Sequence, residues 1–121
     1  MALLAALAGP AIAIERSASP PAWTAKKAVC AAVSLTSAAN PAGVSGPLAG
    51  GYNVYELRIV KRSGVSCSRA RRLARADWTH GHHRPLRWRQ RRAWRSTEGS
   101  AYVGDFRGTG SGIVVEYFAI H

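Results

Sequence analysis

Hydrophobic and polar positions alternate most regularly over residues 52–60, which read Tyr-Asn-Val-Tyr-Glu-Leu-Arg-Ile-Val. Tyr55, Leu57 and Ile59 fall on one face at a period of two, and charged residues stand between them. This pattern predicts a half-buried β-strand whose apolar face meets a core. Ser63-Gly64 then marks a turn.

The period changes to three and four over residues 67–78, which predicts an amphipathic helix. Ser66 is a natural N-cap because its hydroxyl can accept a hydrogen bond from an amide of the first turn. The predicted inner face carries Cys67, Ala70, Leu73, Ala74, and Asp77 or Trp78.

The rest of the chain favours strands. Residues 88–96 alternate raggedly between Trp and Arg, residues 100–106 read as a short strand, and residues 113–120 are rich in β-branched and aromatic types. The glycines of residues 108–112 indicate a hairpin turn rather than a phosphate cradle, which needs a helix N-terminus. We therefore predict an α+β fold over residues 51–121, with one helix packed on a small antiparallel sheet in the order strand-helix-strand-strand-strand.

The N-terminal third has a different character. Residues 1–13 are uncharged and apolar and end in Ala11-Ile12-Ala13, a small-x-small site typical of signal peptidase cleavage. No basic residue follows Met1, so a buried N-terminal helix is the alternative. The run is too short to be a transmembrane segment, which needs about 20 apolar residues. Residues 14–50 are expected to form a linker or irregular arm carrying Cys30, so that this third is disordered or irregular.

Charge and cysteine content bear on the partner and the compartment. The 121 residues include 17 Lys and Arg against six acids, a formal net charge of +11. Such a chain attracts polyanions, although a GC-rich coding sequence produces the same arginine bias. Cys30 and Cys67 are the only cysteines. They are expected to form a disulfide in an exported protein, or to be free buried thiols in a cytosolic one.

The segment Gly64-Val65-Ser66-Cys67-x-x-Ala70, with the strand before it, resembles a family of small secreted proteins from actinomycetes and related soil bacteria. The resemblance covers residues 50–121 and implies export, the same fold and no established activity. Members often carry two further cysteines after the Trp-rich strand and in the next hairpin, and this chain lacks both. The resemblance therefore implies a single bridge between Cys30 and Cys67.

Two residue clusters are candidate binding sites. The belt from Arg69 to Arg95 is interleaved with tryptophans, and guanidinium groups bind phosphate while Trp can stack on bases. Its candidate polyanion-binding residues are Arg69, Arg71, Arg72, Arg75, Arg87, Arg89, Arg91 and Arg92. The alternative is an ordinary solvated arginine face. The second cluster is His80, His82 and His83, which could bind a transition metal, or could be an exposed polar loop.

No catalytic grouping stands out, so no enzymatic activity and no cofactor are predicted. Glu98 and Asp105 flank a strand and could be a carboxylate pair, but ordinary surface acids of a hairpin are the alternative and nothing favours catalysis. Cys67 as a nucleophile is disfavoured because Cys30 supplies a disulfide partner. We expect an exported basic protein with a binding or structural role at the cell surface, whose partners are anionic polymers or lipid headgroups. The alternatives are an intracellular arginine-rich nucleic-acid binder and a metal-binding protein that uses the histidine loop.

Overall fold

The computed structural model describes residues 13–16, 19–35, 54–80, 86–95, 97 and 101–120. In chain order its elements are β1 (Ala13–Arg16), a 3₁₀ helix (Ala22–Ala25), β2 (Val33–Ser34), β3 (Glu56–Ser63), α1 (Cys67–His80), β4 (Arg87–Arg95), β5 (Ala101–Gly110) and β6 (Ile113–Ile120). Residues 1–12 of the predicted signal peptide lie outside the described residues. None of the helices in the described part of the chain is long and apolar enough to span a membrane.

The six strands form one sheet in the order β1-β4-β5-β6-β3-β2. The five strands β2 to β6 pair antiparallel, and α1 packs on one side of them, which confirms the predicted α+β fold. The one parallel pairing joins β1 to β4 and was not predicted. β1 and β2 therefore lie at opposite edges, and each covers an edge that would otherwise present unpaired backbone groups.

The helix begins as its sequence predicts. The Ser66 hydroxyl accepts a hydrogen bond from the Arg69 amide at 3.2 Å, which caps the first turn. Ala70, Leu73 and Trp78 are buried against the sheet. Asp77 is also buried, and its carboxylate accepts a hydrogen bond from the Tyr117 hydroxyl at 2.5 Å. This polar contact joins α1 to the centre of β6.

The alternation in β3 differs from the prediction at both ends. Leu57 and Ile59 are completely buried as expected, but Tyr55 precedes the strand and is 55% exposed. A register shift between Ile59 and Lys61 indicates a β-bulge, and Val60 is buried on the opposite face, next to Phe118. A bulge adds one residue to one strand, so the simple period of two no longer holds beyond it.

The β5–β6 hairpin turn is shorter than the predicted five residues. Only Ser111 and Gly112 form the turn, with φ values of 50° and 77°, and a two-residue hairpin of type I′ requires two positive φ angles. Gly108 lies within β5, directly beneath the Trp88 ring. A Cβ atom at this position would lie 2.8 Å from that ring, so the glycine provides room for the tryptophan.

Residues 19–35, which we call the strap, first cross the face of the sheet opposite α1 and then follow β3 at its edge, where Val33 joins the core under α1. They are largely irregular, as expected, but they pack on the sheet. The Trp94 indole N–H donates to the Ser19 carbonyl at 3.1 Å, and Trp23 is buried edge-on against Phe118. The strap ends along β3, where the Val29 amide donates to the Ile59 carbonyl at 2.9 Å. It therefore runs from the β4 side of the sheet to the β3 edge.

A disulfide bonds Cys30 of the strap to Cys67, the first residue of α1, with a Cα–Cα distance of 5.4 Å. This confirms the bridge that was expected for an exported protein. The bridge passes the β3 edge of the sheet and joins the strap, which packs on one face, to α1, which packs on the other. The Arg71 guanidinium strengthens the same junction by donating to the Ala32 carbonyl at 3.0 Å.

Candidate polyanion-binding surfaces

The face of the sheet opposite α1 combines a small apolar cluster with a network of charges. Phe118 and Ile120 of β6 lie under the strap with Trp23 and Trp94. Glu116 precedes Phe118 by two residues and so lies on the same face, where it is buried. Asp105, which pairs with Phe118 across β5 and β6, has no exposed surface.

Two arginines of β4 neutralise these buried carboxylates. Arg91 Nη2 lies 2.8 Å from Asp105 Oδ1 and 3.1 Å from Glu116 Oε1. Arg92 donates to Asp105 Oδ2 from Nη2 at 2.6 Å and from Nε at 3.0 Å. Charge-assisted contacts of this length are the strong ones in proteins. Arg91 and Arg92, two of the predicted polyanion-binding residues, pair with the protein's own acids.

A break in the β4 register explains how consecutive residues reach one carboxylate. Neighbouring side chains of a regular strand point to opposite faces. The β4–β5 register shifts between Gln90 and Arg92, which indicates a bulge at Arg91. A bulge places two residues opposite one on the partner strand. Both guanidiniums can therefore face Asp105.

The charges in this network shift the titration of Arg91. Its partial burial acts to lower the pKa, but the hydrogen bond and charge of Asp105 and then those of Glu116 outweigh burial, so the net shift is upward. Arg91 thus remains charged at any accessible pH. Lys26 of the strap adds a further cation 3.9 Å from Glu116, and the Arg92 guanidinium stacks 4.5 Å above the Trp23 ring.

The part of this face beyond the network carries a second group of cations, which we call the sheet patch: Arg87, Arg89, Arg107 and Lys61. Pairing places Arg89, Arg107, Glu116 and Lys61 in one row across four strands. Arg107 Nε lies 3.4 Å from Glu116 Oε2, and Arg107 remains 41% exposed. Arg87 and Arg89 are exposed and form no ion pair within the described residues.

Another set of cations lies on the outside of α1. Arg69, Arg72 and Arg75, which we call the helix stripe, follow one another at three-residue spacing and are all exposed. Arg72 contacts the Ser68 hydroxyl at 3.3 Å, and no acid pairs with the stripe among the described side chains. The arginines of the belt from Arg69 to Arg95 thus lie on two opposite sides of the molecule, and Arg71 is turned to the strap.

The candidate metal site lies almost entirely outside the described residues. His80 ends α1, but its side chain and the residues His82 and His83 are not among those described. Among the described residues, no group of His, Cys, Asp and Glu side chains could hold a metal ion. Cys67 is no free nucleophile because its sulfur is bonded to Cys30. Glu98 lies outside the described residues.

Comparison of the chain with protein-family models, with curated proteins and with solved structures found no match. The interpretation of the site therefore depends on its geometry alone. Sequence reasoning missed the network of Asp105 and Glu116, although one signal was present. Glu116 is the only charged residue in the otherwise apolar run of β6, and a carboxylate at a core position requires a partner.

Proposed function

We propose that the protein is an exported binding domain for anionic polymers, which it holds on the sheet patch. The observation that carries this proposal is the row of Arg89, Arg107 and Lys61 with one carboxylate, Glu116, among them. That carboxylate is already shared with Arg91 and Lys26. Among the described side chains of this face cations therefore exceed anions, and a ligand with several oxyanions would supply the missing negative charge.

Arg89 and Arg107 lie directly opposite each other on neighbouring strands. Like charges in this arrangement destabilise a sheet. A phosphate, sulfate or carboxylate group placed between the guanidiniums would convert this repulsion into two charge-assisted contacts. Guanidinium groups suit such ligands because their N–H groups match the two oxygens of an oxyanion.

A polymer fits the patch better than a lipid surface does. The exposed large apolar side chains of the described residues are Val29 and Tyr55, at the β2–β3 edge. Binding to a membrane interface normally combines cations with apolar side chains that enter the acyl boundary. The sheet patch offers cations without such side chains, which favours an anionic chain in water.

The disulfide supports the export part of the proposal because such bridges persist mainly in oxidising compartments. Intracellular nucleic acid, the alternative from the sequence, would use the same cations but in a compartment that keeps thiols reduced. Intact mass spectrometry of the protein from its native host, in cells and in medium, separates these possibilities. Export predicts a mature N-terminus near Ile14 and no thiol alkylation before reduction. A cell-retained chain with Met1 and two alkylated thiols would contradict it.

The binding part is tested by fluorescence anisotropy with short polyphosphate and, in a second arm, a polygalacturonate oligomer. Replacing Arg87 and Arg89 with Gln should weaken binding about tenfold, which corresponds to about 1.4 kcal/mol. The salt dependence should also lose about one unit of slope per cation removed. The two arms show whether phosphate or carboxylate is the preferred oxyanion, and neutral dextran should not bind.

The matched control is R69Q/R72Q, which removes the same charge from exposed arginines of α1. It should change the affinity for a short oligomer by less than about twofold, because electrostatic effects fall off within a Debye length of about 8 Å. Equal weakening by both double variants would show that binding follows net charge alone. That result would overturn the assignment of the sheet patch.

A further inference from the structure

The helix stripe is a second basic surface that the proposed binding site does not use. Its three arginines lie on the outer side of α1, because Ala70, Leu73 and Ala74 occupy the side that faces the sheet. The sheet patch lies on the other side of the sheet, the side of Glu116 and Phe118. The two sets of cations therefore point in opposite directions.

The two surfaces are electrically independent at physiological salt. A helix with its side chains is about 10–12 Å thick, and with the sheet beneath it the surfaces lie on the order of 20 Å apart. This exceeds two Debye lengths of about 8 Å each. A polyanion on one surface therefore neither repels nor neutralises a polyanion on the other.

Within the part of the chain that the structure describes, no acid forms an ion pair with the helix stripe. Asp77 is the only acid of α1, and it is buried against the Tyr117 hydroxyl. Arg69 lies in the first turn, where the positive end of the helix dipole disfavours a cation and where the helix has no acid. Two independent electrostatic costs, the dipole and the spacing of like charges, would therefore be relieved by an anion along the stripe.

Both surfaces belong to elements that pack together in one fold. α1 is fixed to the sheet by its buried face and to the strap by the Cys30–Cys67 disulfide and the Arg71 contact to the Ala32 carbonyl. The orientation of the stripe relative to the patch is therefore set by the fold. One chain presents two outward-facing cationic surfaces without the need to dimerise.

We infer that the protein bridges two anionic polymer chains, one on the sheet patch and one on the helix stripe. This inference rests on the proposed function, since it takes the sheet patch as the first binding site. A protein with two such surfaces cross-links a polyanionic matrix. Loss of either surface removes bridging altogether, because avidity and cross-linking require both sites to be engaged at once.

The test uses beads that carry immobilised long-chain polyphosphate, loaded with limiting amounts of the folded protein and washed. Fluorescent polyphosphate is then added, and both the protein and the fluorescence retained on the beads are measured. Wild type should recruit the second polymer. R69Q/R72Q/R75Q should remain bound through the sheet patch but lose recruitment down to the level of beads without protein. R69K/R72K/R75K keeps the charge and should keep recruitment.

The outcomes separate this inference from the function on which it rests. If wild type does not bind the first polymer, the proposed function fails. If wild type binds but recruits nothing, or if R69Q/R72Q/R75Q recruits as much as wild type, the bridging inference is overturned and the sheet patch stands. Light scattering and circular dichroism on the same preparations show whether the variants keep the wild-type mass and fold. If a dimer bridged the polymers through its two sheet patches, R69Q/R72Q/R75Q would still recruit fluorescent polyphosphate. That result would count against the inference.

Discussion

On one face of the sheet Leu57, Val115 and Tyr117 are buried under α1, whereas on the other face Asp105 and Glu116 are buried among guanidinium groups. β6 contributes to both faces with alternating residues. The apolar face gains stability from the burial of surface, without directional requirements. The ionic face gains little net energy over an apolar replacement, but it penalises the loss of any one partner. One face of the sheet thus stabilises the fold by burying apolar surface. The other face depends on the exact strand register and on the presence of each charged partner.

The largest decrease in stability should come from removing Asp105, the carboxylate at the centre of the ionic face. Asp105→Ala leaves Arg92 without a carboxylate and Arg91 with Glu116 alone. Removal of one partner from a buried ion pair costs up to about 3–5 kcal/mol, and the partial exposure of both arginines makes this an upper bound. Leu73→Ala on the apolar face is the matched comparison, at about 2–5 kcal/mol from lost burial and a cavity. Urea denaturation gives the free energy of unfolding of both variants. A cost below 1 kcal/mol for Asp105→Ala would show that the network is not the organising feature of its face.

The next largest loss of stability should follow removal of the disulfide between the strap and α1. Replacement of Cys30 and Cys67 by Ser removes a cross-link between residues that are 37 positions apart in the sequence. Disulfides of this kind stabilise by about 2–4 kcal/mol, chiefly by restricting the unfolded chain. Because the bridge holds the strap, hydrogen exchange in residues 19–35 should accelerate more than in α1. Equal acceleration in both segments would contradict a local role in holding the strap.

A smaller effect is expected for the polar contact on the apolar face. Burial, and then the charge and hydrogen bond of Asp77, raise the pKa of Tyr117 well above its usual value of about 10. Between the unfolded and folded pKa values only the folded state holds this proton, so stability falls as the pH rises above about 10. Tyr117→Phe should cost about 1–3 kcal/mol at neutral pH and show a shallower fall between pH 9 and 11. Identical slopes for wild type and variant would contradict this assignment.

The smallest change in stability should come from Arg89→Gln, which should stabilise the protein whereas the other variants destabilise it. Removing one of two like charges that lie opposite each other relieves a repulsion of about 0.2–1 kcal/mol. The variant should therefore unfold at a slightly higher temperature than wild type at low salt. The same variant should bind polyphosphate more weakly than wild type. Thermal unfolding at low and high salt measures the first effect, and anisotropy the second. Arg89→Gln with lower stability than wild type would mean that Arg89 is a structural residue.

The elements were predictable from the sequence where the periodicity was unbroken. β3, α1 and β6 follow their hydrophobic patterns, and Ser66 caps the helix as its position predicts. The pairing of the two cysteines was expected for an exported chain and is confirmed. These features depend on local spacing and on residue type, which a single sequence records directly.

The composition of the ionic face was not predictable, because it depends on long-range pairing. The bulge in β4 turns Arg92 to the face that Arg91 already occupies, and no local pattern indicates which carboxylate either guanidinium reaches. Trp23 follows two prolines in a segment without periodicity, so its burial against Phe118 had no local signal. The sequence also did not indicate that the arginines of the belt lie on two sides of the sheet. Those of α1 point away from the sheet on one side, and Arg87 and Arg89 of β4 lie on the other side.

Amide chemical-shift mapping with short polyphosphate measures whether the excess cations of the ionic face form a specific binding surface. We expect the amides of Arg87, Arg89, Arg107 and Lys61 to shift first and to saturate together. The helix stripe should follow only at higher ligand concentration, and amides of the strap should change little. Shifts spread evenly over all exposed arginines from the first addition, or none in the sheet patch, would contradict this expectation.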